Sequence, residues 1–258
     1  MKTLRTIAEL RNALAPLRDG HTIALVPTMG ALHDGHLALI AAARGDCDVV
    51  VASLFVNPAQ FGEPADLDAY PRDLARDERV AAEAGVDLLF APAAGELYPE
   101  GFATWVVPEG AAKGLESDHR PGHFRGVATV CLKLFAIVRP DVVYFGQKDA
   151  QQIEVLRRMI ADLHLELELA VLPTIRDADG LALSSRNERL SDEERLRALA
   201  LPRALATRDP DTARTILEDV GLDVDYVAVA PFDPPVLAAA VRVGTTRLID
   251  NVPLEEDR

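Results

Sequence analysis

The 258 residues are 49% apolar and 26% charged, an ordinary globular balance, and suffice to bury a core in one large domain or two modest ones. The formal net charge of -14 argues against a nucleic-acid partner, because a polyanion is repelled at long range, yet leaves room for small anions that answer to local charge. No apolar stretch approaches the roughly 20 residues that span a bilayer, so no membrane association and a cytoplasmic location are expected.

At the N-terminus Glu9 and Arg11 interrupt any apolar leader, while Leu4, Ile7, Leu10, Leu14 and Leu17 recur at helical spacing. A buried strand over 22–26 is followed by a glycine-containing loop and a helix over 36–43. A second apolar strand, 48–56, stops at Asn57-Pro58, since proline cannot donate to a sheet ladder. A charged helix over 69–84 ends at Gly85, a good C-cap. Strands are expected over 88–91 and 104–107, a helix over 127–138, a strand over 141–145, a helix over 150–163 and a sheet-edge strand over 165–172. Cys47 and Cys131 fall in apolar runs with no C-x-x-C pair, which suits buried, reduced thiols. Strands alternating with helices predict α/β architecture, a Rossmann-like doubly wound parallel sheet over 1–175. Past Pro173 the texture changes to a polar loop over 176–188, then a helix opened by Ser191 with Glu194 three residues on, a capping box. Strands over 225–229 and 237–243 and a tail over 246–251 complete a smaller α+β domain, 176–258.

Four segments carry candidate chemistry. After the first strand comes Pro27-Thr28-Met29-Gly30-Ala31-Leu32-His33-Asp34-Gly35-His36, two imidazoles beside glycines where a strand gives way to a helix. Glycine lets backbone approach a ligand, and a helix N-terminus offers N–H donors to phosphate. A metal pair and a purely structural pair are the other readings of two histidines, but no third ligand lies nearby, and two imidazoles in this glycine context favour phosphate chemistry. The second strand ends in Phe55-Val56-Asn57-Pro58-Ala59-Gln60-Phe61, either a plain polar turn or a ligand-facing one. Next comes Gly146-Gln147-Lys148-Asp149-Ala150-Gln151-Gln152, with a lysine at a helix start, the electrostatically wrong end unless an anion lies between. The fourth runs from Pro173 to Asn187 and closes on Leu183-Ser184-Ser185-Arg186-Asn187, two hydroxyls and a planar cation suited to phosphate oxygens, or a mere helix entry. From 119 to 148 five basic residues (Arg120, Arg125, Lys133, Arg139, Lys148) face one acidic, Asp141: a solvated face or an anion-binding wall. The first three segments sit at carboxyl ends of predicted strands, where open α/β sheets bind ligands, and no G-x-G-x-x-G, G-x-x-x-x-G-K-[ST] or G-x-S-x-G competes.

The order P-T-M-G-A-L-H-x-G-H, F-V-N-P-x-Q-F, R-P-G-H-F-x-G-V, G-Q-K-D-x-Q-Q and L-S-S-R-N resembles the pantothenate synthetase family from Pro27 to the Thr246-Arg247-Leu248-Ile249-Asp250-Asn251 tail. The resemblance implies a Rossmann-like core in the style of class I aminoacyl-tRNA synthetases, a cytoplasmic homodimer, and Mg2+-dependent condensation of pantoate with β-alanine, releasing AMP and pyrophosphate from ATP. It implies that Met29, Gly30, Ala31, Leu32, His33, Asp34, Gly35 and His36 cradle ATP, with His33 and His36 at its phosphates and His36 as proton donor. Gln60 and Gln152 would hold pantoate. Gly146, Gln147, Lys148 and Asp149 would contact ATP, Lys148 at the phosphates; Ile175 would touch adenine, and Leu183, Ser184, Ser185 and Arg186 would close over the triphosphate. No metal ligand is implied. Two departures stand out: Ala150 replaces a usual aromatic, and the C-terminal domain is short, compressed over 230–240. A nucleotidyltransferase using H-x-G-H, or a non-catalytic nucleotide-binding protein, is the alternative; neither needs two glutamines for a small polyol acid.

Overall fold

The computed structural model describes residues 1–62, 67–68 and 70–255. Its large sheet has strands β1 (Lys2–Leu4), β2 (Ile23–Thr28), β3 (Val49–Leu54), β4 (Leu88–Phe90), β5 (Val142–Gly146) and β6 (Glu168–Leu172), in the order β1-β4-β3-β2-β5-β6. The pairs β1–β4, β4–β3, β3–β2 and β2–β5 are parallel. From β2 the chain winds outward through β3 to β4, then returns past β2 to β5 and winds the other way. This reversal makes the sheet doubly wound and puts its switch point between β2 and β5, where ligands bind in such folds.

The sequence dictates this layering. All of β3 is buried and β2 nearly so, because a central parallel strand is covered on both faces. Helix α1 (Ile7–Leu14) opens on a capping box, Thr6 with Glu9, and buries Leu10 and Leu14. Helix α2 (Asp34–Asp46) lays Leu39, Ile40 and Ala43 into one core with Ala24, Val26, Val50 and Ala52. Helix α3 (Leu74–Glu83), capped by Asp73, adds Ala81; Ala69, where the expected helix over 69–84 began, lies outside the described residues. Helix α4 (His123–Val138) is apolar almost all round and buries both flanks, starting four residues before the expected 127. Helix α5 (Ala150–Asp162) leads to β6, the half-buried edge strand that the Leu/Glu alternation predicts.

Two expectations are corrected. The strand expected over 104–107 does not form: that segment has no ladder partner among the described residues, and the amide of Val106 donates instead to Thr129 Oγ1 at 3.0 Å. Trp105 there stacks on Tyr98 and meets Phe102 edge-on, so its β-like composition serves side-chain packing. Leu4 belongs to β1 rather than to the first helix, which starts at Ile7.

The residues group into two compact units, Met1–Phe145 with Val155–Leu172, and Gly146–Glu154 with Pro173–Arg258. The second unit therefore includes a segment of nine residues, Gly146–Glu154, that chain order alone would assign to the first. Its C-terminal part has α6 (Asp192–Ala198), α7 (Ala200–Leu205) and α8 (Pro210–Asp219), with an antiparallel sheet β7 (Asp223–Ala230), β8 (Val236–Val243) and β9 (Thr246–Pro253). The Ser191–Glu194 capping box opens α6 as the sequence requires. Leu201, Leu205, Ala213 and Leu217 pack with Leu237, Ala239 and Val241 in that unit's own core.

Candidate active site

The turn after β2 is built to present two imidazoles. Gly30 has φ +88, and a Cβ there would lie 2.9 Å from Asp77 Oδ2, so both backbone shape and space call for glycine. Asp77, from α3 and 3% exposed, accepts the amides of Ala31 and Leu32, each at 2.8 Å. Nothing in the charged run around Asp77 marks it in the sequence as the clamp of a loop more than forty residues away. His33 caps α2, its Nδ1 accepting from Gly35 N at 3.2 Å, and His36 Nδ1 accepts from His33 N at 3.3 Å. With both Nδ1 atoms accepting, each neutral ring carries its proton on Nε2. The rings lie 4.1 Å apart at the N-terminus of α2, where backbone N–H groups and the helix dipole favour an anion.

Gln60 ends the short turn Pro58–Gln60 after β3 and is 8% exposed. Its Oε1 accepts from Asn57 Nδ2 at 3.0 Å and its Nε2 reaches Met29 Sδ at 3.2 Å, which brings the second predicted segment to the first. The turn itself is held from α4. Buried His123 contacts Arg120 through Nε2 at 3.1 Å and the carbonyl of Gln60 through Nδ1 at 3.0 Å. Arginine only donates, so Nε2 accepts and Nδ1–H donates to that carbonyl. Glu116, 3.6 Å from Arg120, completes the row. Asn57, His123 and Gly126, whose missing side chain admits the turn, belong to the quoted motifs but carried no assigned role.

In the second unit, Gly146 to Asp149 form the link from β5 into a 3-10 turn, Gln147–Asp149, directly before α5, and half-buried Gln152 lies on the first turn of that helix. Ile175 and Leu183 pair through Leu183 N to Ile175 O at 2.9 Å, closing a hairpin that delivers Ser184, Ser185 and Arg186. Ser184 Oγ accepts from Arg186 N at 3.3 Å. Ala150 is buried.

The basic run over 119–148 does not act as one surface. Arg125 lies 3.7 Å from the Trp105 ring centroid, Lys133 4.5 Å from that of Phe102, and Arg120 pairs with Glu116. Cys47 and Cys131 are buried free thiols, and burial pushes Cys131 up to about 12, far from thiolate chemistry. Among the described residues no helix is long and apolar enough to cross a membrane, and no three His, Cys, Asp or Glu side chains cluster as a metal cage.

The sheet topology and the glycine–histidine turn at its switch point define a doubly wound α/β protein of the kind that handles phosphate-bearing ligands. The pantoate–β-alanine ligase profile matches residues 2–253, and the chain belongs to that family of acid–amine ligases. It is 51% identical to pantothenate synthetase 1 of Bradyrhizobium diazoefficiens, with 98% of each chain covered. It is 50% identical to pantothenate synthetase of Moorella thermoacetica, with 99% of each covered. Among solved structures, pantothenate synthetase of Thermus thermophilus superposes with TM-score 0.92 at 46% identity, over 98% of this chain and 99% of that one. The Francisella tularensis pantoate–β-alanine ligase, complexed with β,γ-ATP and β-alanine, gives TM-score 0.91 at 34% identity, over 98% and 97%.

Proposed function

We propose that this chain condenses pantoate with β-alanine in two steps joined by a pantoyl adenylate. The observation that carries the reading is the turn after β2, where both imidazoles bind backbone amides through Nδ1 and so present Nε2–H at a helix N-terminus. In the first step a pantoate carboxylate oxygen attacks the α-phosphorus of ATP, the bond to the bridging oxygen breaks, and pyrophosphate leaves. Two anions must approach, so neutralising charge on the phosphoryl oxygens is the protein's main task. Met29, Gly30, Ala31, Leu32, Asp34 and Gly35 shape the cradle; His33 and His36 hydrogen-bond the phosphates through Nε2–H, with His36 as the donor to the charge that develops as pyrophosphate leaves. Lys148 adds positive charge beside Gly146, Gln147 and Asp149, Ile175 meets adenine, and Leu183, Ser184, Ser185 and Arg186 cover the triphosphate. In the second step the amine of β-alanine attacks the acyl carbon, the C–O bond to AMP breaks, and the nitrogen loses a proton.

Magnesium fits this site as an ion carried on the triphosphate, since Mg2+ is commonly held by phosphate oxygens, water and one or two carboxylates rather than by a protein cage. When bound it would neutralise phosphate charge, and the exposed carboxylates of Asp34, at the start of α2, and Asp149, in the turn before α5, would be its protein ligands. We assign 1–175 to nucleotide and pantoate binding and 176–258 to a lid that keeps water from the adenylate, in a cytoplasmic homodimer. With ATP and pantoate alone, labelled pyrophosphate should exchange into ATP; adding β-alanine should release AMP and form pantothenate. Exchange that needs β-alanine would rule out the adenylate, and AMP retained in the product would make the enzyme a nucleotidyltransferase.

The glutamines provide a separate check. Gln60 has its amide oriented by Asn57, and an amide can order hydroxyls and a carboxylate but carries no charge for a triphosphate. Gln60→Ala and Gln152→Ala are expected to raise KM for pantoate far more than KM for ATP in steady-state assays. A raised KM for ATP with pantoate unchanged would mean that the two subsites are reversed.

A further inference from the structure

The dipeptide Asp250-Asn251 on β9 lies in the centre of its strand, pairing with Ala239 and Ala238 of β8, and both residues are buried, 2% and 3% exposed. Successive strand side chains point to opposite faces, so the two reach different neighbours. Asp250 takes a bidentate pair from Arg176, at 2.6 and 3.1 Å, and the same guanidinium donates to Gly180 O at 3.2 Å. That pair fixes the hairpin that delivers Ser184, Ser185 and Arg186. Asn251 turns the other way. Its Nδ2 donates to the carbonyls of both Gln147 and Lys148, each at 2.9 Å, and its Oδ1 accepts from Gln147 Nε2 at 3.3 Å. Every polar atom of this buried amide is thus spent on the turn that carries the lysine.

We infer that Asn251 is a positioning residue for adenylation, acting through Lys148. A flexible lysine is a good phosphate ligand only if its backbone origin is fixed, and here two carbonyls flanking that origin converge on one amide donor group. The neighbouring Asp250–Arg176 pair ties the serine–arginine loop to the same two residues of β9, so both proposed phosphate-binding segments of the second unit share one anchor. The inference rests on the proposed role of Lys148 in neutralising phosphoryl charge, and adds to it the residue that sets where the charge stands.

The test is a double-mutant cycle read by pyrophosphate exchange, with Tm measured for each variant. Asn251→Ala is expected to lower kcat of the first step by about tenfold or more, because misplacement of a positioned group erodes rate steeply. In the Lys148→Ala background the same change should cost no more than about twofold, since residues that act through one another are non-additive. A purely structural asparagine would instead multiply its loss onto that of Lys148→Ala. If Lys148→Ala alone is near normal, the role of Lys148 falls and this inference with it. If Lys148→Ala is impaired while Asn251→Ala is near normal, or the two losses multiply, only the inference falls. Should Asn251→Ala not fold, Asn251→Asp has the same shape and replaces the amide donors by a carboxylate facing two carbonyls. Its activity relative to wild type should recover as pH falls, when the protonated acid regains one O–H donor; a ratio flat with pH overturns the inference.

Discussion

Lys148→Ala and His36→Ala are each expected to lower kcat by about a hundredfold or more, the scale found when a stabiliser of developing charge is removed. Folding should survive in both, for reasons specific to each position. At Lys148 the atom held by the protein is the backbone carbonyl, bound to Asn251 Nδ2, and truncating the half-buried side chain leaves it in place. At His36 the ring also accepts the amide of His33, so alanine removes that hydrogen bond, worth about 1 kcal/mol, as well as the proposed hydrogen-bond donor to phosphate. A small fall in Tm should therefore accompany His36→Ala and not Lys148→Ala. The measurements are single-turnover adenylation and thermal unfolding; near-normal turnover in both variants would remove these residues from the chemistry.

Much of the fold was legible because the signals are local. Continuous apolar runs over 22–26 and 48–56 leave little but central parallel strands, and the Ser191–Glu194 box marks a helix start within a few residues. The stretch from Thr104 to Val107 misled because β-branched and aromatic composition says only that side chains will be half-buried, not that a ladder partner exists. Its amide at Val106 is satisfied by a threonine hydroxyl on α4, a partner that propensity cannot see.

The candidate site divides in the same way. Side chains expected to meet a ligand were found from residue type at strand ends, but the groups that hold them were not. Asp77 sits in a stretch of alternating charges that reads as solvated, and only the tertiary fold shows its carboxylate under Ala31 and Leu32. Asn251 likewise lies in a tail whose residues carry no chemistry of their own; its amide explains why Gly146–Glu154 groups with the C-terminal unit although chain order joins it to β5. Supporting groups act through long-range geometry, and a linear pattern records the residue without the contact.

Gly126→Ala should destabilise the protein, opposite to the usual effect of replacing a helix glycine. In an exposed helix interior alanine gains about 0.5–1 kcal/mol over glycine, because it has less backbone freedom to lose. Here an added Cβ would fall 2.3 Å from Ala59 O and 2.6 Å from Gln60 N. Those atoms are backbone, so no side-chain rotation relieves the overlap, and α4 or the turn Pro58–Gln60 must move. Overpacking of this kind costs about 1–3 kcal/mol, and at about 2–4 °C per kcal/mol the expected fall in Tm is roughly 2–12 °C. The displacement also reaches the proposed substrate site. Asn57 Nδ2 binds both Gly126 O at 3.1 Å and Gln60 Oε1 at 3.0 Å, so moving the turn away from the helix disturbs the orientation of the Gln60 amide. KM for pantoate should therefore rise in Gly126→Ala with KM for ATP little changed, in the same sense as Gln60→Ala. A Tm equal to or above wild type would show that helix and turn separate without strain. A lowered Tm with pantoate binding intact would show that the turn can shift while Asn57 still holds the glutamine in place.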